Sequence, residues 1–441
     1  MGGVSAIAPG RRGGAQLAHG LHDDGLLSDM NAAPIQAVGR GGAKSWRNMP
    51  RKTRTVLHLI RSLHPDYGGP VEGIRQLIGP YRAKGWDIEV ACLDDPASPW
   101  LETFPATVHA LGPSVGGYGF RPDAISELRH MAPGYDAIIV NGIWEFIGPM
   151  AILGLAGLKT PYYVFTHGML DPWFKRQYPL KHLKKWLYWP FVSYWLLRNA
   201  RFVFFTTEEE KVLARQSFWL YRCREMVIGY GTSRPTGDPA AQRAAFDAAY
   251  PQTVGKRNLL YLSRIHRKKG CELLIEAFAK VVGDDPDWRL IMAGPDATGW
   301  RPELEALAKR LGVDDRVLWT GSLGGDLKWG AFHAAEAFVL PSHQENFGIA
   351  VAEAMACSLP VLVSDKVNIW REIVQWKGGL VEHDDLAGTI SLLERWKAMT
   401  PDEIETLRTA ALACFDANFD MQVSSARMID VLEDQASERS A

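Results

Sequence analysis

Two glutamates eight residues apart, Glu345 and Glu353, have the residue type and setting to do chemistry. They lie in the stretch FVLPSHQENFGIAVAEAMACSLPVLVS, residues 338–364. Glu345 is in a polar loop after a short apolar strand, and Glu353 is inside a helix whose other residues are small or apolar. Because a carboxylate is rarely buried without a partner, we expect Glu353 to line a cleft.

The backbone amides of Asn346, Phe347 and Gly348 lie between these carboxylates, just before the predicted helix. Amides at a helix N-terminus lack an acceptor within the helix, and together with the helix dipole they form an anion site. The stretch therefore predicts phosphate-binding amides flanked by two hydroxyl-binding carboxylates. A sugar joined to a nucleoside through a diphosphate fits that pattern.

This stretch resembles the signature of the family-four retaining glycosyltransferases, also called glycosyl transferases group one. Their signature has two glutamates separated by seven residues, with the first in E-x-F-G and an apolar helix that ends in G-x-P-V. Here the matching residues are Glu345-Asn346-Phe347-Gly348, Glu353 and Ser358-Leu359-Pro360-Val361. The resemblance covers most of the chain after about Thr53. It implies the α/β fold called GT-B, in which two Rossmann-like domains face each other across a cleft.

The composition is that of a globular protein with room for two domains. The chain has 441 residues, 47% hydrophobic and 22% charged, and a formal net charge of -1, which argues against a nucleic-acid partner. Its five cysteines show no paired spacing, so we expect a reducing compartment and no zinc site. No apolar run reaches the roughly 18–20 residues that span a bilayer.

Strands and helices alternate along the chain from Thr55, a rhythm that predicts open parallel sheets. The predicted strands are 56–60, 88–93, 107–111, 136–143, 162–166, 202–206, 226–230, 259–262, 290–293, 317–320, 338–340 and 361–363. Together with the resemblance, this predicts a disordered leader (1–50), an acceptor-side N-terminal Rossmann-like domain (51–235), a linker with a short helix (236–256), a nucleotide-sugar-binding C-terminal Rossmann-like domain (257–415) and a C-terminal helix packed back on the first domain (416–441).

A cationic loop, SRIHRKKG, follows the first strand of the predicted second domain. Its cations favour a phosphate site, although a solvated basic loop has the same composition. The loop resembles the family pattern G-R-x-x-x-x-K-G, with Ser263 in place of the first glycine. The resemblance implies that Arg264 and Lys269 bind the donor diphosphate and neutralise charge that builds on the leaving group.

Two other strand ends fall where ligands bind in such sheets. Gly68 and Gly69 form a glycine-rich turn before a helix, which is typical of a plain tight turn and also of a phosphate contact. His167 follows the strand YYVFT, and a histidine hydrogen-bonded in its own turn is the simpler interpretation. The resemblance implies that the glycines face the donor diphosphate and that the His167 ring reaches the sugar-phosphate, as a donor contact or an orienting group.

Residues 171–199, DPWFKRQYPLKHLKKWLYWPFVSYWLLRN, interleave basic and aromatic side chains. Leu180, Leu183 and Leu187 recur at helical steps. This pattern fits an interfacial helix on an anionic membrane surface, and it fits equally a domain helix with aromatics in the core. Further on, Thr207 and Glu210 have capping-box spacing, so we expect them to be structural.

Together with the resemblance, the sequence predicts a retaining, metal-independent hexosyltransferase that moves a sugar from a UDP- or GDP-sugar to a saccharide acceptor in surface or exopolysaccharide synthesis. The basic-aromatic segment favours a lipid-linked acceptor over a soluble one, and no nucleic-acid partner is expected. The catalytic residues are predicted to be Glu345, His167, Arg264 and Lys269, and the donor-binding residues Gly68, Gly69, Asn346, Phe347, Gly348 and Glu353. No metal or cofactor is expected besides the donor. We expect a cytoplasmic protein, peripheral on the inner face of the plasma membrane through residues 171–199.

Three other classes of function are weighed against this pattern. A GT-B sugar-nucleotide epimerase would also hold a diphosphate, but it needs additional catalytic acids. A non-catalytic membrane scaffold would not need Arg264, Lys269, Glu345 and Glu353 together. A phosphorylase would need a pyridoxal-binding lysine, for which the sequence offers no convincing context.

Overall fold

The computed structural model of the protein describes residues 53–173, 175 and 179–440, so the predicted leader, 1–50, lies outside them. The described chain forms two sheets, one of seven strands and one of six, and every strand pair within them is parallel. We call the part that carries the first sheet the first unit and the part that carries the second sheet the second unit.

The first unit has the strand order β3-β2-β1-β4-β5-β6-β7. Its strands are β1 (Arg54–Ile60), β2 (Trp86–Cys92), β3 (Thr107–Ala110), β4 (Ala137–Asn141), β5 (Tyr162–Phe165), β6 (Val203–Phe205) and β7 (Glu225–Val227). Its helices are α1 (Gly69–Ala83), α2 (Pro99–Glu102), α3 (Asp123–Met131), α4 (Ile147–Gly154), α5 (Pro179–Tyr188), α6 (Ser193–Asn199) and α7 (Glu208–Ala214).

The second unit has the strand order β10-β9-β8-β11-β12-β13. Its strands are β8 (Arg257–Leu262), β9 (Trp288–Ala293), β10 (Val317–Gly321), β11 (Ala337–Leu340), β12 (Val361–Ser364) and β13 (Gly379–Glu382). The helices that follow α7 are α8 (Pro239–Ala249), α9 (Cys271–Val282), α10 (Arg301–Arg310), α11 (Gly325–Ala334), α12 (Ile349–Ala356), α13 (Trp370–Trp376), α14 (Leu386–Ala398), α15 (Pro401–Asn418) and α16 (Met421–Ser440).

All twelve predicted strands are confirmed, with ends that move by a few residues. The central strands β4, β11 and β12 are buried along their whole length, which explains why their sequences are continuous apolar runs. Strand β13 was not predicted from the sequence. This edge strand begins with Gly379 and fully buries only Leu380, so it lacks a sustained apolar run.

The strand order of each sheet reverses direction at one point, between β1 and β4 in the first unit and between β8 and β11 in the second. Ligands in open parallel sheets bind outside the carboxyl ends of the strands at such switch points. Loops from the carboxyl ends of both sheets face each other, so the two switch points share one crevice between the units.

Residues 236–256, which the sequence analysis treats as a linker, pack largely with the second unit. Helix α8 lies against α11, and the ring of Phe246 is fully buried there. Gln242 Nε2 donates to Asp326 Oδ1 on α11 at 3.1 Å. At the other end of the chain, α16 lies against α1 of the first unit, where Trp86 Nε1 donates to Glu433 Oε1 at 3.2 Å.

Candidate active site

The crevice between the units has a volume of about 550 Å³. Nine of the ten predicted site residues line it, and the exception is Gly68. The nine are Gly69, His167, Arg264, Lys269, Glu345, Asn346, Phe347, Gly348 and Glu353. Residues that are 284 positions apart in the sequence are therefore brought to one place, since Gly69 and Glu353 both line the crevice.

An ion pair between Lys269 and Glu345 lies in the second-unit wall of the crevice. Lys269 ends a short 3₁₀ turn after β8, is only 4% exposed, and also donates to the carbonyl of Gln344 at 3.4 Å. Burial alone would raise the pKa of Glu345, but Lys269, Lys268 and Arg264 outweigh it and hold that pKa below its ordinary value. Glu345 is therefore a carboxylate at neutral pH, held against a cationic wall.

Arg264 supplies an exposed cation at the same place. Its carbonyl accepts from the Tyr261 hydroxyl at 2.8 Å, which fixes the start of the loop. Within the described residues, its guanidinium makes no hydrogen bond or salt bridge to another side chain, although its charge contributes to lowering the pKa of Glu345. Arg264 is thus available to bind an anion that enters the crevice.

The backbone around Glu345 is fixed by the neighbouring loop. Glu345 N donates to the Lys366 carbonyl at 2.9 Å, and the Glu345 carbonyl accepts from Asn368 N at 3.0 Å. The next three amides, of residues 346–348, have no backbone acceptor among the described residues. Gly348 has a φ of 80° and comes directly before α12, so these amides stand at a helix N-terminus.

The side chains of Asn346 and Phe347 contact the first unit. Asn346 Nδ2 donates to Thr206 Oγ1 at 3.2 Å, and the Phe347 ring packs edge-on against Tyr230 with centroids 5.2 Å apart. The segment that carries the free amides is therefore held from both units, which limits how far it can move.

Glu353 is the fifth residue of α12 and is 5% exposed. Its Oε1 accepts from Lys328 Nζ on α11 at 2.6 Å. Burial raises the pKa of Glu353, and Lys328 opposes that rise only in part. Lys328 was missed by the sequence analysis because it belongs to no motif. The signal that could have found it is the need of a buried Glu353 for a cationic partner.

His167 follows β5 with a φ of 47°, in the left-handed region. Its ring stacks on Phe165 with centroids 4.4 Å apart, and its Nε2 lies 3.0 Å from Asn141 Oδ1. Burial lowers the pKa of His167 to about 3, so the ring is neutral at physiological pH. The ring is thus hydrogen-bonded to the end of the neighbouring strand β4 and not within its own turn, and it also lines the crevice.

Glu210 holds the turn that carries His167. Its carboxylate accepts from Thr166 Oγ1 at 2.7 Å, from Gly168 N at 2.6 Å and from Thr206 N at 2.8 Å. Thr207 Oγ1 accepts from Glu210 N at 3.0 Å, so the N-cap half of the predicted capping box is confirmed, whereas the Glu210 carboxylate binds the donors named above and does not return to the Thr207 amide. The structural interpretation of this acidic segment holds, and its role extends to positioning the loop after β5.

The glycine-rich turn before α1 divides into two roles. Gly68 has a φ of 62° and a ψ of −124°, a conformation that favours glycine, and it lies outside the crevice lining. Gly69 lines the crevice next to Ile349 at the start of α12. Its carbonyl accepts from the Tyr230 hydroxyl at 2.9 Å. The structure therefore gives Gly68 a conformational role and brings only Gly69 to the crevice.

The basic-aromatic segment divides in a similar way. Trp189 and Tyr194 are buried in the core of the first unit, as a domain helix requires. A set of apolar side chains is nevertheless exposed, and we call it the α5 surface: Leu180, Leu183, Trp186, Leu187, Phe191 and Trp219. Leu180 is 79% exposed and Phe191 78%. Phe174, Arg176 and Tyr178 lie outside the described residues.

The described residues contain neither a membrane-spanning helix nor a cluster of metal ligands. Among residues 53–173, 175 and 179–440, no helix combines the length and the apolar character needed to cross a bilayer. The same part of the chain contains no group of three or more His, Cys, Asp or Glu side chains arranged to hold a metal ion.

The fold is shared with solved structures of other proteins. An Anabaena protein, Alr3699/HepE in complex with UDP, aligns with a TM-score of 0.70 at 18% identity, covering 86% of this chain and all of the other. A sucrose-phosphate synthase from Thermosynechococcus elongatus aligns with a TM-score of 0.67 at 21% identity, covering 87% of this chain and all of the other. The predicted GT-B fold of two facing Rossmann-like sheets is thereby confirmed.

One sequence relative extends over nearly the whole chain. The GDP-mannose:cellobiosyl-diphosphopolyprenol alpha-mannosyltransferase of Xanthomonas campestris is 25% identical over 391 residues, which is 85% of this chain and 95% of the relative. The relative is therefore similar in both units and not only in the second, which carries the two glutamates.

Two family profiles match consecutive parts of the chain. The profile of the glycosyl transferase 4-like domain matches residues 68–231, and the profile of glycosyl transferases group 1 matches residues 242–395. The two matches meet between β7 and α8, where the chain passes from one sheet to the other. The chain belongs to the glycosyl transferases group 1 family and is a glycosyltransferase.

Proposed function

We propose that the protein transfers a hexose from a nucleotide-diphosphate sugar to a lipid-linked saccharide, with retention of anomeric configuration and without a metal ion, in the synthesis of a surface polysaccharide or exopolysaccharide. The observation that carries the proposal is the arrangement of opposed charges in the crevice. Cations from the loop after β8 lie directly against the acidic, amide-bearing loop after β11.

The diphosphate is assigned to the wall formed by Arg264, Lys269 and the amides of residues 346–348. Two cations and a set of free amides match the charge and the oxygen acceptors of a diphosphate. Glu353 is assigned to the ribose hydroxyls and Glu345 to hydroxyls of the transferred sugar. Each carboxylate is paired with a lysine, so neither is an isolated buried charge. Because a carboxylate has several acceptor sites, each can also accept hydrogen bonds from sugar hydroxyls.

Retention is proposed to proceed by attack on the face from which the phosphate departs. The bond between the anomeric carbon and the phosphate oxygen breaks, and the acceptor oxygen bonds to that carbon on the same side. The acceptor proton passes to the departing phosphate. Glu345 and Glu353 are each paired with a lysine, so we assign neither of them the role of nucleophile. In this proposal the protein contributes positioning and charge stabilisation.

Metal independence is proposed because protein cations already stand where the leaving group develops charge. Arg264 and the buried Lys269 supply two positive charges on the same loop. In this proposal they take the place that a divalent ion has in other sugar-nucleotide enzymes, by stabilising the diphosphate as it departs.

The lipid-linked acceptor is supported by the α5 surface and by the name of the Xanthomonas relative, which specifies a diphosphopolyprenol acceptor and GDP-mannose as donor. Exposed leucines and tryptophans beside Lys184 and Lys185 suit the boundary between headgroups and acyl chains. We therefore propose a peripheral position on the cytoplasmic face of the plasma membrane. The epimerase and scaffold alternatives have no observation of this kind in their favour.

The proposal is tested by a donor screen followed by product analysis. Purified protein is screened by thermal shift with GDP-mannose, UDP-glucose and ADP-glucose, and the stabilising donor is then incubated with cellobiosyl-diphosphopolyprenol. We expect a lengthened lipid-linked product whose new bond has the anomeric configuration of the donor by NMR, in buffer containing a metal chelator. Epimerised nucleotide sugar without acceptor, or an inverted linkage, would overturn the proposal.

A further inference from the structure

A half-buried carboxylate lies at the switch point of the first sheet. Glu145 follows shortly after β4, and within the described residues its carboxylate makes no hydrogen bond or ion pair. Burial raises the pKa of Glu145, and the nearby charge of Arg61 opposes that rise only in part. A carboxylate that is partly removed from water without a partner costs free energy in the folded protein. Such a group is typical of a binding site.

Two tyrosines from different elements are fixed beside Glu145. Tyr188, the last residue of α5, donates its hydroxyl hydrogen to the Glu145 carbonyl at 3.4 Å. The hydroxyl oxygens of Tyr188 and Tyr118 are 2.9 Å apart. Because a carbonyl only accepts, the hydrogen of Tyr188 is already used, so Tyr118 is the donor between the two hydroxyls. This directed pair of hydrogen bonds ties the loop after β3, which carries Tyr118, to α5.

Arg61 holds the same loop from the other side. It follows β1 directly, and its Nη2 donates to the Gly116 carbonyl at 3.0 Å. Its guanidinium also lies over the ring of Tyr67, 5.5 Å from the centroid. The loop that carries Tyr118 is therefore held by β1 as well as by α5, and the surroundings of Glu145 are organised before any ligand binds.

Aromatic rings complete the surroundings of the carboxylate. The ring of Trp144 lies 6.1 Å from that of Tyr188, and the ring of Tyr118 is 37% exposed. Trp144 Nε1 donates to the Met169 carbonyl at 3.2 Å, two residues after His167, which lines the crevice. The group therefore adjoins the crevice. A carboxylate that accepts from hydroxyls beside exposed aromatic surface suits a sugar, which has hydroxyls at its edge and an apolar face.

The charges of the group favour a neutral ligand. Glu145 and Arg61 carry opposite charges, so together they have no net charge to attract a diphosphate. An unpaired carboxylate also repels a phosphate group directly. A lipid-linked saccharide contains both a diphosphate and neutral sugar units, and only the sugar units fit these surroundings.

We propose that Glu145, Tyr118 and Trp144 form a subsite for a neutral sugar unit of the acceptor, in which the Glu145 carboxylate accepts hydrogen bonds from the sugar hydroxyls. The inference rests on the proposed function, which supplies a saccharide acceptor. It also gives α5 a second role. Tyr188 at the end of α5 fixes the subsite, while Leu183 and Leu187 of the same helix belong to the α5 surface. One helix thus joins the proposed membrane contact to the acceptor subsite.

The test compares Glu145→Gln with Glu102→Gln, a change at an exposed glutamate of the first unit. The probes are methyl β-glucoside, methyl α-mannoside and methyl β-cellobioside, titrated by saturation-transfer NMR. We expect wild type and Glu102→Gln to bind at least one glycoside equally well, and Glu145→Gln to bind it about 10-fold more weakly, as for loss of a hydrogen bond to a charged group. Farnesyl diphosphate, which has no sugar, should bind Glu145→Gln at least as well as wild type.

Thermal unfolding separates a binding role from a structural one. Because the Glu145 carboxylate has no partner among the described residues, removing its charge takes away no stabilising pair, and Glu145→Gln is expected to unfold at the same temperature as wild type or higher. A lower unfolding temperature, together with equal losses for glycoside and farnesyl diphosphate, would assign Glu145 a structural role and overturn the inference. So would glycoside binding that is the same in Glu145→Gln and wild type, or wild type that binds none of the three glycosides.

Failure of the proposed function would look different. If wild type bound no nucleotide sugar, the proposed function would fall, and the glycoside titrations would still decide whether Glu145 binds a sugar. If wild type transferred a sugar from its donor while Glu145→Gln bound the glycosides like wild type, the proposed function would stand and this inference alone would fail. Affinity for GDP and UDP is expected to be the same in Glu145→Gln and wild type, because Arg264, Lys269 and the amides of residues 346–348 are unchanged.

Discussion

The crevice and the α5 surface use the same residue types in opposite ways. In the crevice, Lys269 is buried and paired with Glu345, and Phe347 packs against a ring of the other unit. On the α5 surface, Phe191 and Leu183 are open to solvent beside the exposed Lys184. The first arrangement fixes each charge in one geometry, and the second leaves apolar groups without protein partners.

The difference indicates two kinds of recognition. A buried, paired cation with free amides nearby selects a small anion by geometry. An exposed apolar surface with adjacent lysines has no such geometry and suits a partner that is itself extended, such as a bilayer. We therefore expect changes in the crevice to alter chemistry or nucleotide affinity, and changes on the α5 surface to alter membrane binding alone.

The largest effect is expected for Lys269→Ala. Removing this cation takes away stabilisation of the leaving diphosphate and leaves the buried Glu345 without its partner. We expect kcat/KM to fall by a factor that corresponds to a loss of about 2–4 kcal/mol of transition-state stabilisation. The control is Arg267→Ala, two residues earlier on the same loop, whose exposed side chain pairs with Glu303 at the surface. Equal turnover in wild type and Lys269→Ala would contradict the assignment.

A second effect concerns the buried histidines behind the crevice. Burial and the proximity of His167 lower the pKa of His58 to about 3, while an unfolded histidine titrates near 6.5. The unfolded chain therefore binds the proton first, so the stabilising contribution is complete above about pH 6.5 and is lost as pH falls toward 3. We expect this residue to contribute a slope of about 1.4 kcal/mol per pH unit in the free energy of unfolding.

This slope is measured by urea unfolding of wild type and His58→Gln from pH 7 to pH 5. The variant is expected to have the shallower dependence. Gln216→Asn, at an exposed residue whose side chain does not titrate, is the control and should keep the wild-type slope. Identical slopes in wild type and His58→Gln would show that His58 is not held neutral by burial.

A smaller effect is expected for Glu353→Gln. The amide keeps the shape of the side chain but removes the charge that pairs with Lys328, and it weakens acceptance from ribose hydroxyls. We expect nucleoside diphosphate affinity to fall about 10-fold by calorimetry, a loss of about 1.4 kcal/mol. Glu305→Gln, which removes an exposed pair with Arg301, is the matched control. Unchanged affinity in Glu353→Gln would remove this residue from the nucleotide site.

The smallest effect is expected on the α5 surface. We expect Leu183→Ser to reduce binding to vesicles containing anionic lipid by about 5-fold, on the order of 1 kcal/mol for one partly inserted side chain. Leu311→Ser, at an exposed leucine of the second unit, should bind like wild type. Activity on a water-soluble acceptor should be equal in all three proteins. Vesicle flotation that is the same for both variants would contradict a membrane role for the α5 surface.

The residues that could be predicted belong to motifs whose residue types and spacing are visible in the sequence. Glu345, Glu353 and Lys269 could be predicted because their types and spacing follow strand ends of one parallel sheet. Lys328 and Asn141 could not, since each matters only through a side chain from a different strand or helix. Pairing of that kind is created by the fold.

The α5 segment shows a different limit. An amphipathic helix has the same periodicity whether its apolar face packs in a core or meets a membrane. The sequence could therefore not separate the buried Trp189 from the exposed Trp186, three residues earlier. Strand β13 was missed for a related reason, because an edge strand with one fully buried residue lacks the apolar run that marks the central strands.

The central claim is that cations and free amides grip a diphosphate across the crevice, and calorimetry tests it most directly. GDP and GMP, and UDP and UMP, are titrated into wild type and into Arg264→Ala. We predict that wild type binds at least one diphosphate about 10-fold or more tightly than its monophosphate, and that Arg264→Ala loses most of this advantage. Equal affinity for diphosphate and monophosphate in wild type, or an advantage that survives in Arg264→Ala, would contradict the claim.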